Sequence, residues 1–181
     1  MTTPVLVAGE IYELDRTHST VQFAVRHVGV STFRGSFDDV DAELARAGDE
    51  LQLRAEAVVA SISITDPDFR AHVVDGDDFF AAAQSPVITF RSTEVLIDGD
   101  RVELAGELRI RGVARPVRAT GLFTAPREDP FGNTRLGLEL SAKLDRRQFG
   151  LNWQAALPDG GDALGWDVTV TAQLEFSRRA A

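Results

Sequence analysis

The segment Asp15–Phe37, DRTHSTVQFAVRHVGVSTFRGSF, alternates apolar and polar residues as two consecutive β-strands do. Val21, Phe23, Val25 and His27 share one parity, while Thr20, Gln22, Ala24 and Arg26 share the other. Side chains alternate across a strand, so the first set is expected to face a core and the second to face water. Phe33, Gly35 and Phe37 continue the inward row after the Gly29 turn. Two of the three histidines, His18 and His27, fall in this segment, which raises the question of whether they perform chemistry or pack.

The same alternation recurs along the chain. Ile11–Leu14 predicts a short opening strand, and Leu51, Leu53, Ala55, Ala57 and Val59 predict a later one. There the apolar phase slips by one at Ser61, a pattern that predicts a bulge within a bending strand. Asp98-Gly99-Asp100 joins two alternating runs as a hairpin turn. Leu104, Gly106, Leu108 and Ile110, then Val117, Ala119, Gly121 and Phe123, then Leu138 and Leu140, then Trp166, Val168 and Val170 supply further inward rows. Asp66-Pro67-Asp68 carries a capping acid followed by proline, which starts a helix. Gly76 is expected to end that helix and Asp77 to Ala83 to form a second short helical piece that brings Phe79 and Phe80 together, the two making a helical excursion around residues 66–83. About eight strands with one dry face and one wet face predict an all-β, eight-stranded antiparallel barrel in a single domain over residues 1–181.

Composition narrows the function classes. A formal charge of −9 and a pI near 4.8 argue against a sequence-independent nucleic-acid binder and predict repulsion from an anionic membrane surface, and no run approaches the ~18 apolar residues of a membrane span, so no stable membrane insertion is expected. The absence of cysteine removes disulfides, thiolate metal sites and cysteine nucleophiles. The amino terminus lacks a basic segment followed by a long apolar run, so a cytoplasmic protein is expected.

Several short motifs in fixed order resemble the YceI-like family of lipocalin-like polyisoprenoid-binding proteins. They are Leu14-Asp15 with His18-Ser19, His27-Val28-Gly29, Gly35-Ser36-Phe37, Ser61-Ile62-Ser63-Ile64, and Arg70 with His72. Asp78-Phe79-Phe80, Pro86 to Phe90, Gly106-Glu107-Leu108, Arg115-Pro116-Val117, and Arg146 with Phe149-Gly150-Leu151 follow. Ala114 and the Arg147-Gln148 pair depart from the family pattern. The resemblance implies a lipocalin-like barrel, often dimeric, whose interior holds a long isoprenoid such as a polyprenyl phosphate or a quinone tail.

On that resemblance, the inward rows line a cavity rather than a filled core. The expected ligand-binding residues are Phe23, Val25, His27, Phe33 and Phe37 from the opening hairpin, with Phe79 and Phe80 from the helical excursion. Phe90, Leu108, Ile110, Phe123, Leu138, Leu140, Trp166 and Val168 join them from later strands, and Phe149 from an irregular corner. Arg115, inward by parity beside a turn, is the arginine chosen to meet a polar head group. The small inward residues Gly35, Gly106 and Gly121 suggest internal space. No catalytic residues, metal or cofactor are expected. Two alternatives remain at this level: an enzyme using the His18/His27 region, and a filled barrel acting as a dimeric interaction module.

Overall fold

A computed structural model describes residues 6–179. The alternating runs become β1 (Ile11–Leu14), β2 (Thr20–His27), β3 (Ser31–Phe37), β4 (Val40–Ala47) and β5 (Glu50–Val58). After α1 (Pro67–Asp75) come β6 (Val87–Asp98), β7 (Arg101–Ile110), β8 (Val113–Glu128), β9 (Thr134–Asp145) and β10 (Leu164–Arg178). All pairings are antiparallel. The order β1-β4-β5-β6-β7-β8-β9-β10 closes through the β10–β1 pairing into an eight-membered ring, the expected barrel.

The ten strands fill eight places because two long strands are each interrupted. A 3-10 turn at Arg16–His18 separates β1 from β2, and Asp38-Asp39 separates β3 from β4. One edge of β10 therefore serves two partners. Phe176 pairs with Leu14 of β1, and Val168 to Gln173 pair with Val25 to Thr20 of β2. Past the interruption the ring is open: among the described residues the backbone of β3 pairs with the next segment only at an isolated bridge, Phe37 to Ile62. Residues 59–86 fill that gap.

This gap corrects two sequence expectations. The phase slip near Ser61 is no bulge within a strand; β5 stops at Val58 and a 3-10 turn, Val59–Ser61, carries the chain away. The first helix begins and ends as expected, with the Asp66 carboxylate accepting from the Phe69 N–H at 2.7 Å and Gly76 as its C-cap. Residues 77–80 and 82–84 form turns, not a second helix.

The barrel is filled at one end. Tyr12, Leu44, Leu53, Val102, Leu138 and Phe176 are almost wholly buried there, each worth about 1.5–3 kcal/mol if a typical large apolar side chain. At the other end Val59, Ile62 and Phe79 pack against Val73 and Val74 of α1, and Ile110, Phe149 and Leu151 pack at the corner after β9. No helix among the described residues is long and apolar enough to cross a membrane.

A charge cluster pins the β1–β2 interruption to the wall. Asp15 caps the 3-10 turn through the Thr17 N–H and accepts from Arg135 Nη1 at 2.6 Å. The same arginine reaches Glu175 at 2.7 Å and Asp129 at 2.7 Å, and His18 Nδ1 lies 3.0 Å from Asp15. Hydrogen bonding to His18 and then to Arg135 holds the Asp15 carboxyl at about 2, below its ordinary 3.8. The Asp15 carboxylate in turn raises His18.

Asp15 therefore adds stability above its ordinary range, lost as pH falls toward 2. His18 adds stability that is complete below 6.5 and lost as pH rises through its raised value. Thermal melts between about pH 3 and pH 9 should show Asp15→Asn destabilised by ~1–2 kcal/mol at neutral pH, with both dependences flattened. His18→Gln should lose the alkaline limb and keep a smaller acid limb, held by Arg135. A second test concerns Gly121, where an added Cβ would run into the Glu139 carbonyl on the neighbouring strand. Gly121→Ala should lower stability by ~1–3 kcal/mol in chemical denaturation, because β8 and β9 must separate to admit the methyl.

Candidate ligand-binding cavity

Between the packed end and α1 lies a cavity of about 270 Å³. The strand period of two supplies its walls: Val21, Phe23, Val25, Phe33 and Phe37 from β2 and β3, with Leu104, Leu108, Ile110, Val117 and Ala119 from β7 and β8. Leu140, Ala142, Leu144, Val168, Val170 and Ala172 complete the far wall, and Phe69, Val73, Phe79, Phe80 and Phe149 roof it. Aromatic rings run without a break from hairpin to roof. Successive centroids of Phe33, Phe23, Phe37 and Phe80 are 5.9, 5.8 and 6.0 Å apart, and Phe79 stacks on Trp153 at 5.6 Å. The filled-barrel alternative thus describes only one end of the molecule.

Glycines do not make this space. A Cβ at Gly35 would meet the Phe23 ring, and one at Gly106 the Phe90 ring. Each glycine lets an aromatic ring lie flat on the neighbouring strand. The cavity is accordingly bounded by rings whose rotation can change its shape.

Of the residues singled out from sequence, Phe23, Val25, Phe33, Phe37, Phe79, Phe80, Phe90, Leu108, Ile110, Leu140, Phe149 and Val168 lie on the cavity wall. Phe123 and Leu138 do not. They face inward but pair with each other at the packed end, so their parity was right and their depth was not. His27 keeps the parity of Val25 but is exposed at the strand end, opposite a register shift in β10 between Leu164 and Val168. Trp166 lies within that same shift, where parity carries no information. Its ring sits under the guanidinium groups of Arg146 and Arg147, at 4.1 and 5.1 Å, and its Nε1 donates to Asp162. Arg115 is exposed and turns back to the Ala114 carbonyl at 2.9 Å, which spares its charge the cost of an unpaired burial.

The wall carries two charged residues, Glu56 and Arg146. Glu56 belongs to the outer, exposed face of β5. Arg146 is 4% exposed, and sequence reasoning did not choose it as a wall residue. Its guanidinium donates to the carbonyls of Gly165 (2.8 Å), Leu151 (2.6 Å) and Leu164 (3.1 Å), tying the corner after β9 to the start of β10. Burial lowers its pKa. The signal for this role was the Arg146-to-Leu151 motif, which lies outside the alternating strands.

The histidines do not converge. His18 lies just before β2 and His27 ends it, nine positions on and roughly 30 Å away at the extended spacing. His72 instead pairs with Asp78 at 3.1 Å. Ser19 accepts from the Glu175 N–H at 2.9 Å. Asp15, His18 and Glu175 have ligand-type atoms within 4.8 Å of one another, but Arg135 already binds both carboxylates as their counter-cation.

The chain is similar to known proteins in sequence and in fold. Protein YceI of Escherichia coli O157:H7 is 32% identical over 146 residues, covering 77% of this chain and 75% of its own. A UPF0312 protein of Staphylococcus aureus is 30% identical over 169 residues, covering 92% and 96%. The solved structure of a polyisoprenoid-binding domain from Saccharophagus degradans, implicated in plant cell wall breakdown, superposes with a TM-score of 0.71 at 16% identity, covering 93% of this chain and 98% of that one. The YceI-like domain model matches residues 12–176, and with it the chain belongs to the YceI-like family.

Proposed function

We propose that this protein binds a long apolar ligand of the isoprenoid class in the cavity without chemically altering it, and so carries, stores or sequesters it. The observation that carries this reading is the wall, lined by apolar side chains from β2 through β10 and closed at its far end by a packed core. The polyisoprenoid-binding name of the Saccharophagus degradans domain supports the ligand class.

Burial of methylene-like groups at ~0.8 kcal/mol each gives ~3–4 kcal/mol per isoprene unit. Association costs of ~4–15 kcal/mol mean that a few buried units reach micromolar binding. The cavity stands just below the common ~300–1,000 Å³ range for small-molecule sites. A long chain therefore needs the phenylalanine rings to rotate, or must leave part of itself in the mouth. The mouth lies between Phe33 of β3 and Phe69 of α1. Phe69 lines the cavity yet is 41% exposed, and its ring meets Phe33 edge-on at 5.9 Å.

Native mass spectrometry of the purified protein should reveal a co-purified lipid. Titration with prenyl alcohols of increasing length, followed through Trp153 fluorescence, should show affinity rising with chain length and then levelling. Ala142→Phe, which adds a ring to the far wall, should weaken binding by at least about tenfold while the barrel still folds. A lipid-free protein that takes up neither prenyl alcohols nor quinones would overturn the reading.

A further inference from the structure

The β2–β3 hairpin has a second face that ligand binding does not use. Residues 16–37 contain no aspartate or glutamate, in a chain with 28 acidic residues, but do contain three arginines and two histidines. Arg16 is engaged with Asp39 and Asp41 at the inner end of the hairpin. Arg26 and Arg34 lie diagonally on the outer face, since Arg26 pairs with Thr32 and Arg34 with Ala24 across the strands. Both are exposed. Arg26 donates to Thr32 Oγ1 and the Gly29 carbonyl, Arg34 to the Thr32 carbonyl, and neither has a carboxylate partner among the described residues. The nearby acids are committed: Asp162 accepts from Trp166, and Asp167 pairs with Lys143.

The hairpin tip presents an apolar point beside these charges. Val30 is 83% exposed. Val28 holds φ at +52°, a left-handed conformation that strains a β-branched residue, and its N–H donates to Ala163 at 2.7 Å. The tip is thus tied to the barrel. Its inner face carries Phe33, one lip of the cavity mouth. The other lip, α1, has Asp66 at its cap and Asp68 in its first turn, its Arg70 turns back to the Ile62 and Ala60 carbonyls, and its His72 pairs with Asp78.

We propose that the outer face and tip of the β2–β3 hairpin form a docking surface for an anionic phospholipid membrane, which brings the Phe33 lip of the mouth to the bilayer. Net charge does not forbid this contact. At physiological ionic strength, fields fade over ~8 Å, so the surface lipid meets the arginines of the hairpin before the carboxylates elsewhere. Exposed Val30 adds an apolar foothold, and with few cations the attachment is weak and reversible. This inference rests on the apolar-ligand reading for its purpose, though not for its measurement.

The test is flotation of the full chain with vesicles at physiological ionic strength. The protein should float with vesicles of equal parts phosphatidylglycerol and phosphatidylcholine, not with phosphatidylcholine alone, and should be released by added salt. Removing each arginine should weaken association on the order of fivefold, so Arg26→Glu with Arg34→Glu should abolish flotation. Val30→Asp, at the exposed tip, provides a second variant should the double charge reversal fail to fold, and should reduce flotation. A wild-type protein that fails to float, or equal flotation of folded variants or with neutral vesicles, would overturn the proposal. Prenyl-alcohol binding measured without vesicles should survive both variants. Its absence in a protein that floats would count against the ligand reading and leave the docking surface standing.

Discussion

Everything distinctive in this barrel follows from how β10 shares its free edge. A strand of fifteen residues pairs along most of its length with β9, while its other edge is divided between β1 and β2. The division requires a bend between those two segments, and the Asp15–Arg135–Glu175 cluster holds it. On the β1 side the ring closes through β4, and large side chains fill the interior. On the β2 side the sheet turns outward with the β2–β3 hairpin, and among the described residues no strand closes the gap from β3 to β6. Closure, hollow and mouth are consequences of one edge being shared.

The hollow is costly by itself. An apolar space stays dry, and its lining loses dispersion contacts that a filled core would make. Arg146 shows how the surrounding structure tolerates the hollow: three carbonyls and the Trp166 ring hold its charge, so the corner keeps its shape without a filled interior. Phe23 and Phe90, seated on Gly35 and Gly106, narrow the space further. A ligand that replaces these missing contacts binds the folded state alone and so adds stability that grows with the logarithm of its concentration above Kd.

How far the sequence was legible depended on which physical rule each residue obeyed. Parity placed Phe23, Val25, Phe33 and Phe37 on the wall because β2 and β3 are regular and pair without a bulge. It failed at Trp166, inside a register shift, and at His27 opposite it. Parity also reports facing but never depth, which is why Phe123 and Leu138 looked like wall residues. The strand β4, VDAELARA, carries residues with strong helical preference, and only its pairing with β1 and β5 makes it a strand. Arg146 was hidden because its role depends on carbonyls up to nineteen residues away in the chain.

A strand's two faces can answer to two different solvents, and Asp15–Phe37 does so. Its inward row supplies Val21, Phe23, Val25, Phe33 and Phe37 to the cavity. Its outward row supplies Arg26 and Arg34, with Thr20, Gln22 and Ser36 between them and the interruption. Because the period is two, neither row constrains the other. The inward residues are fixed by packing against the barrel and its roof, whereas the outward ones are free to take any charge that water tolerates. Water would tolerate carboxylates equally well, as it does on the outer faces of β4, β5 and β7 at Glu43, Glu56 and Glu107. Folding alone therefore gives no reason for this hairpin to exclude acids, and its cationic face calls for an explanation outside the fold.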